Sequence, residues 1–177
     1  MKPLSVRRLT FAALIAAIYA VVTILTASFA YGPIQFRIAE AMCILPFFMP
    51  FTTWGLVVGC VLANLISPAG LLDVVFGSLA TLGCCLCIAA IGKGWNGKSW
   101  GKCVLSCLMP AIWNAVIVGA LLALTAGEGT GARMALFFLY AAEVAAGELA
   151  VLFILGLPLM RWLPKSKFFP QLRARLS

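Results

Sequence analysis

Long apolar stretches, separated by short polar or glycine- and proline-rich breaks, make up most of this chain. Six stretches stand out in the pattern: 9–30, 38–49, 52–66, 71–91, 103–126 and 134–160. A membrane-spanning helix needs about 20 apolar residues, so most of these stretches are long enough to span a bilayer. The stretch 38–49 is short for a full span, and we expect it to be tilted or joined closely to its neighbour.

The composition is typical of a membrane protein. Hydrophobic residues make up 64% of the 177 residues and charged residues only 10%, whereas an ordinary soluble domain is about half apolar and about a quarter charged. A soluble fold of this size could not cover so much apolar surface, so the soluble and disordered classes are excluded. We therefore predict an all-α integral membrane protein, one domain over 1–177, folded as a compact bundle of about six transmembrane helices.

The basic residues predict how the bundle is oriented. There are 13 Lys and Arg against 5 Asp and Glu, and all but Arg37 and Arg133 lie at the N-terminus, in the loop 92–102 or in the basic tail from about 161. Short loops rich in Lys and Arg remain on the cytoplasmic side. Both termini are therefore predicted to be cytoplasmic, in a multi-pass protein of the bacterial plasma membrane. The basic segments flank apolar helices and form no folded basic face, which argues against nucleic-acid binding.

The sequence gives little support for catalysis, metal binding or nucleotide binding. The chain has seven Cys and no His, and the pairs Cys84–Cys87 and Cys103–Cys107 fall in or beside apolar helices, where Cys acts as a small hydrophobe. The glycine-rich segment 92–99 matches the phosphate-loop pattern GxxxxGK[ST]. That loop requires a preceding strand, and a helix is predicted here instead. We expect no cofactor, no metal and no enzymatic activity.

A small set of polar and ionisable residues interrupts the apolar stretches. Its members are Arg37, Glu40, Asn64, Asp73, Asn114, Glu143 and Glu148. Ionisable groups are costly in hydrocarbon and usually face a cavity or a partner. Most of the set falls in the predicted outer half of four or five helices, so we expect one pocket open to the outside. Hydrogen bonding between helices is the alternative explanation for any single member.

Acids outnumber bases in this set, which predicts a preference for a neutral or cationic ligand. A carboxylate accepts the paired N–H groups of a guanine-like edge, and the indole of Trp113 offers a stacking face beside Asn114. Asp73 and Glu143 are the first candidates for these carboxylates. Glu148, which lies deeper, is a structural group or a further candidate.

Small residues recur along one face of the first helix. Ala12, Ala16 and Ala20 are spaced at i, i+4 and i+8, and such a face lets another helix approach closely. Two alternatives follow: packing within the bundle, or docking of a separate subunit.

Several stretches resemble the QueT family of queuosine-precursor transporters. They are Gly32–Ala41 (GPIQFRIAEA), Asn64–Pro68 with Gly70 and Asp73, Phe76–Leu82, and Gly147-Glu148 followed by Gly156–Leu159. The resemblance extends over about 7–162. It adds Gln35 to the candidate substrate-binding residues and supports Glu148.

The resemblance implies a substrate-binding S-component of an energy-coupling-factor (ECF) transporter, which works with a transmembrane scaffold subunit and two ATPases. In that class a face of the AxxxA type on the first helix contacts the scaffold, and Ala12, Ala16 and Ala20 match it. The implied ligand is a 7-deazaguanine: 7-aminomethyl-7-deazaguanine (preQ1), its nitrile precursor preQ0, or queuine. A self-sufficient small-molecule transporter and an S-component for a different vitamin-like substrate remain as alternatives.

Overall fold

The structure is a computed structural model that describes residues 5–31, 34–126 and 129–176. The regular secondary structure of these residues is entirely helical, with no strand. In chain order they are α1 (Val6–Leu25), α2 (Ala27–Ala30), a 3₁₀ helix (Ile38–Ile44) continued by α3 (Leu45–Phe48), α4 (Thr52–Asn64), α5 (Leu71–Gly92), α6 (Trp100–Ala126), α7 (Thr130–Val151), a π-helical segment (Leu152–Gly156), α8 (Leu157–Trp162), a 3₁₀ turn (Leu163–Lys165) and α9 (Phe168–Leu176). Gly32 and Pro33 of the predicted first break, and Gly127 and Glu128 of the predicted loop 127–133, lie outside the described residues.

Four helices are long and apolar enough to cross a membrane. They are Val6–Leu25, Leu71–Gly92, Trp100–Ala126 and the continuous helix Gly131–Lys165. The other two predicted spans are the shorter apolar helices Ile38–Phe48 and Thr52–Asn64. With rises of about 2.0 Å per 3₁₀ residue and 1.5 Å per α-helical residue, each is about 20 Å long. The prediction of an all-helical membrane protein is confirmed. Full spanning length is observed for four of the six predicted helices.

The shorter helix Ile38–Phe48, hereafter the central helix, lies inside an arc of five other helices. Along this arc α1 packs against α4, α4 against α5, α5 against α6, and α6 against α7. The 3₁₀ part of the central helix contacts all five of these helices. Ala39 and Glu40 near its start and Asn64, the last residue of α4, are buried inside the bundle, and this brings polar side chains into its interior.

Small residues allow α1 and α4 to pack with their backbones in contact. A Cβ atom added at Gly59 of α4 would lie 2.8 Å from the carbonyl oxygen of Ala16 and 2.9 Å from the Cβ atom of Tyr19, and one added at Gly55 would collide with the Ala12 carbonyl. Ala12, Ala16 and Ala20 are all buried. In this structure the predicted alanine face is therefore occupied by α4, which is the intramolecular alternative.

The predicted basic clusters meet at one end of the bundle, hereafter the basic end. The Arg8 Nε atom donates to the carbonyl oxygen of Leu176 at 2.6 Å, and Lys102 Nζ donates to the carbonyl of Lys93 at 2.7 Å. The guanidinium of Arg161 lies 4.3 Å from the centre of the Trp100 ring. The N-terminal helix, the α5–α6 loop and the C-terminal helices thus share one end.

The helix Gly131–Lys165 widens where a proline removes a hydrogen-bond donor. Pro158 has no amide hydrogen for the carbonyl of Ile154, and the preceding residues Leu152–Gly156 adopt π-helical geometry. Irregular turns of this kind are frequent near functional sites. Here the segment begins four residues after Glu148.

The orientation of the basic end is open to a direct test. A Ser99→Cys variant is expected to escape a membrane-impermeant maleimide in intact cells and to react after permeabilisation, because Lys- and Arg-rich loops remain in the cytoplasm. Gly131→Cys, at the opposite end and in open space, should react in intact cells. The unsubstituted chain measures the background from its seven Cys. The reverse labelling pattern would contradict the predicted orientation.

Candidate functional site

Seven polar side chains, from the arc of five helices and from the start of the central helix, meet inside the bundle. This buried polar cluster consists of Tyr19, Arg37, Glu40, Asn64, Asp73, Asn114 and Glu148, each exposed by 3% or less. Six of the seven are predicted site residues, and Tyr19 is new. Polar groups at this depth are costly unless they are hydrogen-bonded, so their partners decide what the cluster can do.

An ion pair between Arg37 and Asp73 closes one side of the cluster. The Nη2 atom of Arg37 and the Oδ2 atom of Asp73 are 3.3 Å apart. Asp73 lies in the first turn of α5, where the helix dipole favours a negative charge, and its backbone carbonyl accepts a hydrogen bond from Asn64 Nδ2 at 3.0 Å. The Arg37 guanidinium also lies over the ring of Tyr31, 5.3 Å from its centre.

Glu40 is fully engaged within the protein. Its Oε1 atom accepts a hydrogen bond from the Tyr19 hydroxyl at 2.6 Å, and its Oε2 atom accepts one from the Cys43 thiol at 2.9 Å. Both carboxyl oxygens therefore have partners. Glu40 holds the central helix against α1 and leaves no acceptor oxygen without a partner.

Glu148 is only half engaged. Its Oε1 atom accepts a hydrogen bond from Asn114 Nδ2 at 2.9 Å, whereas Oε2 has no partner. The neighbouring Gly147 allows the segment around Gln35 to cross α7 in close contact, because a Cβ atom at Gly147 would collide with the Gln35 backbone. The loop that leads into the central helix thus lies directly over the Glu148 region.

Four buried polar atoms of the cluster lack hydrogen-bond partners. They are Arg37 Nε, Asp73 Oδ1, Asn114 Oδ1 and Glu148 Oε2. A buried polar atom without a partner costs about 1–3 kcal/mol, so a ligand that supplied the missing partners would be stabilised. Three of the four atoms are acceptors and one is a donor. The cluster therefore suits a ligand that presents several N–H groups and one acceptor.

The structure is closed around the cluster. A cavity of about 50 Å³ adjoins it, lined in part by Tyr31, Gln35 and Asp73, and one water molecule has a share of about 30 Å³ in the liquid. Burial raises the pKa of Tyr31 to about 12. Its phenol is therefore a neutral donor at physiological pH, and it donates to the carbonyl of Ala63 at 2.7 Å.

The family model for the QueT transporter matches residues 9–165. The chain belongs to the QueT transporter family. No curated protein and no solved structure gives a significant match. Membership of this family assigns a membrane transport role.

In this QueT family member the predicted residues Trp113 and Glu143 lie apart from the buried polar cluster. The Trp113 ring packs on α5, where a Cβ atom at Gly83 would lie 2.7 Å from it. Glu143 is half-buried and makes no hydrogen bond or ion pair with any described residue. It is five residues from Glu148, which turns it about 140° around α7. Gln35 is buried and lines the small cavity beside Asp73.

Three contributors to the site were not predicted: Tyr19, Tyr31 and Cys43. Tyr19 could have been predicted from the sequence, because a tyrosine in the middle of an apolar helix has a hydroxyl that needs a partner. Tyr31 and Cys43 could not, since their roles depend on where the central helix lies.

A group of three thiols borders the cluster. The sulfur atoms of Cys43, Cys84 and Cys85 lie within 4.8 Å of one another and are fully buried. They are the one group in the described part of the chain with spacing suited to a thiophilic cation. The Cys43 thiol donates to Glu40 and the Cys84 thiol to the carbonyl of Thr81, and all three side chains pack in the hydrophobic core.

The Arg37–Asp73 pair should show strong thermodynamic coupling. Removing either charge alone, by Arg37→Gln or Asp73→Asn, leaves the other charge buried and is expected to cost about 3–5 kcal/mol of stability. The double variant should recover a large part of that loss. Thermal unfolding in detergent measures the effect, with Lys98→Gln as an exposed control. If the stability losses of the two single variants simply add in the double variant, the two side chains are not energetically coupled.

Proposed function

We propose that this chain is the substrate-binding S-component of an ECF-type importer and that the buried polar cluster binds a 7-deazaguanine. The observation that carries the proposal is the set of unpartnered acceptors, Asp73 Oδ1, Asn114 Oδ1 and Glu148 Oε2, beside one unpartnered donor, Arg37 Nε. Membership of the QueT transporter family supports it.

The donor and acceptor pattern of the cluster complements a guanine-like edge. Such an edge presents a ring N–H, an exocyclic NH₂ group and a carbonyl oxygen. On this proposal Glu148 accepts from the N–H groups, Asn114 or Asp73 accepts a further N–H, and Arg37 donates to the carbonyl. Charge-assisted hydrogen bonds to a carboxylate are the strongest of these. The three precursors differ in the substituent on the five-membered ring, and preQ1, preQ0 and queuine all retain this edge.

Binding requires the closed structure to open. A bicyclic base needs several times the about 50 Å³ available beside Asp73. The segment around Gln35 lies over the Glu148 region, and Arg37 and Asp73 are held against each other, so these are the contacts that must separate. A ligand that takes over the hydrogen bonds of Arg37 and Asp73 would offset that cost.

The proposed role includes partner subunits that supply ATP hydrolysis. The segment 92–99 that matches the phosphate-loop pattern follows the helix α5 and has no strand before it. Because α4 occupies the Ala12, Ala16 and Ala20 face, we propose that the scaffold subunit binds the adjacent edge of α1. Ala13 and Ala17 lie on that edge, one turn apart, and both are exposed.

Substrate binding should depend on Glu148 and Asp73. Glu148→Gln and Asp73→Asn are each expected to weaken binding of 7-aminomethyl-7-deazaguanine by roughly 10- to 150-fold, the equivalent of losing a charge-assisted hydrogen bond worth about 1.5–3 kcal/mol. Glu143→Gln, the matched control on the same helix, should bind like the unchanged chain. Isothermal titration calorimetry in detergent measures all three variants.

The same titration separates the alternatives. Queuine and the unrelated vitamins riboflavin and biotin are titrated in parallel. Tight binding of a vitamin with no binding of a deazaguanine would leave the S-component role standing and overturn the substrate assignment. Uptake by the chain without any scaffold or ATPase would favour a self-sufficient transporter.

Bulky substitutions at the neighbouring residues Ala16 and Ala17 should have different effects on docking to the scaffold subunit. Ala17→Trp is expected to leave thermal stability and substrate binding unchanged and to abolish co-purification with the scaffold subunit, because bulk on this edge prevents close helix approach. Ala16→Trp should destabilise the chain, since its side chain faces α4. Ala142→Trp, on an exposed position of α7, is the control for bulk alone. Normal complex formation by Ala17→Trp would refute the proposed docking edge.

A further inference from the structure

A second cavity lies at the basic end, remote from the buried polar cluster. It has a volume of about 640 Å³ and is lined by the turn after α3 and by parts of α1, α4, α5 and α9. The buried polar cluster contributes no residue to it. At this volume the cavity falls in the range of small-molecule sites, about 300–1,000 Å³.

Among the residues that the structure describes, three cations and no acid line the cavity. Arg8 of α1, Lys93 at the end of α5 and Arg173 of α9 converge on it from separate parts of the chain. Like charges repel when they are brought together, so their convergence favours an anion between them. Arg8 is held in place by its hydrogen bond to the carbonyl of Leu176 and by its position 5.7 Å from the centre of the Phe51 ring.

The remaining wall of the cavity is apolar and open to the side. Trp54 and Leu86 line it and are 47% and 55% exposed. Both belong to apolar helices, so their exposed faces meet hydrocarbon and not water when the bundle is in a bilayer. The cavity therefore joins a cationic site at the helix ends to an apolar groove that opens laterally.

A buried hydroxyl in the same cavity lacks a partner. Thr53 lines the cavity, is 2% exposed, and its Oγ1 atom makes no hydrogen bond. A hydroxyl at this depth normally bonds to something. Thr53 precedes Trp54 of the apolar wall and lines the same cavity as the three cations.

We propose that this cavity binds one anionic phospholipid, with its phosphate among Arg8, Lys93 and Arg173 and an acyl chain along Trp54 and Leu86. The Thr53 hydroxyl donates to an oxygen of the headgroup or glycerol backbone. Basic pockets between helices at the cytoplasmic side of a membrane commonly take such lipids. The lateral opening favours a lipid over an acidic segment of a partner protein, which would leave the apolar groove unfilled. Arg173 lies on α9, beyond the residues 9–165 matched by the family model.

The charges are tested by binding of defined lipids to the full chain. Native mass spectrometry with phosphatidylglycerol and phosphatidylcholine should show selective retention of the first. Lys93→Gln and Arg173→Gln should each weaken phosphatidylglycerol binding about 5-fold. Lys98→Gln and Lys167→Gln remove the same charge from exposed positions at the same end and should leave it unchanged. Equal loss in all four variants, or equal binding of the two lipids, would overturn the proposal.

The groove is tested by fluorescence. Phosphatidylglycerol brominated on its acyl chains should quench the emission of Trp54 in phosphatidylcholine bilayers, and the Trp54→Phe variant should lose that part of the quenching. Brominated phosphatidylcholine at the same fraction should quench Trp54 less. Identical quenching by both lipids would show only general contact with the bilayer and would overturn a specific site.

Removing the Thr53 hydroxyl should change two measured quantities in opposite directions. Thr53→Val removes an unpartnered buried hydroxyl at nearly constant shape, so the melting temperature in lipid-free detergent should rise. The increase in melting temperature on adding phosphatidylglycerol should shrink, because the lipid loses a hydrogen bond. A variant that keeps the full lipid-dependent increase would show that Thr53 does not contact the lipid.

Discussion

A positive charge buried inside an apolar bundle must be paired, and this requirement organises the structure around Arg37. Its guanidinium is 1% exposed and meets Asp73 at 3.3 Å. The pair joins the start of the central helix to the first turn of α5. Asn64 completes the arrangement by donating to the backbone carbonyl of Asp73, so the ends of three helices are held together at one depth.

The two shorter helices explain why this polar region lies inside the bundle. The central helix and α4 each extend over about two-thirds of the about 30 Å hydrocarbon thickness, so Arg37 and Asn64 at their ends are enclosed by the longer helices. Tyr19 and Cys43 satisfy both oxygens of Glu40, whereas Glu148 has one oxygen without a partner. The acids thus divide into Glu40, which has partners on both oxygens, and Asp73 and Glu148, each of which has one oxygen without a partner. That division underlies the proposed deazaguanine site.

Opposite charges are separated along the bundle. The acids that the structure describes lie within or beside the buried polar cluster or on α7, and none lines the cavity at the basic end. One face of α1 packs on Gly55 and Gly59 of α4, while Ala13 and Ala17 remain exposed. The chain therefore offers three separate surfaces: a polar interior for the proposed substrate, a small-residue edge for the proposed scaffold, and a basic cavity for the proposed lipid.

The sequence alone determined the membrane class, the four long helices and the residues whose polarity had to be explained, because hydropathy and charge are local properties. It also brought together Arg37, Asp73, Asn114 and Glu148 as candidates, since each is costly in hydrocarbon. It ranked Glu143 ahead of Glu148, and it singled out the face of Ala12, Ala16 and Ala20 without showing which side of α1 meets α4. Glu143 and Glu148 differ by a rotation around a helix axis, and so do the sides of α1. Helical periodicity tells which residues share a face, but only tertiary packing decides which face meets a neighbour. For the same reason Tyr19 and Thr53 acquired their roles only when α1 and α4 were placed against the rest of the bundle.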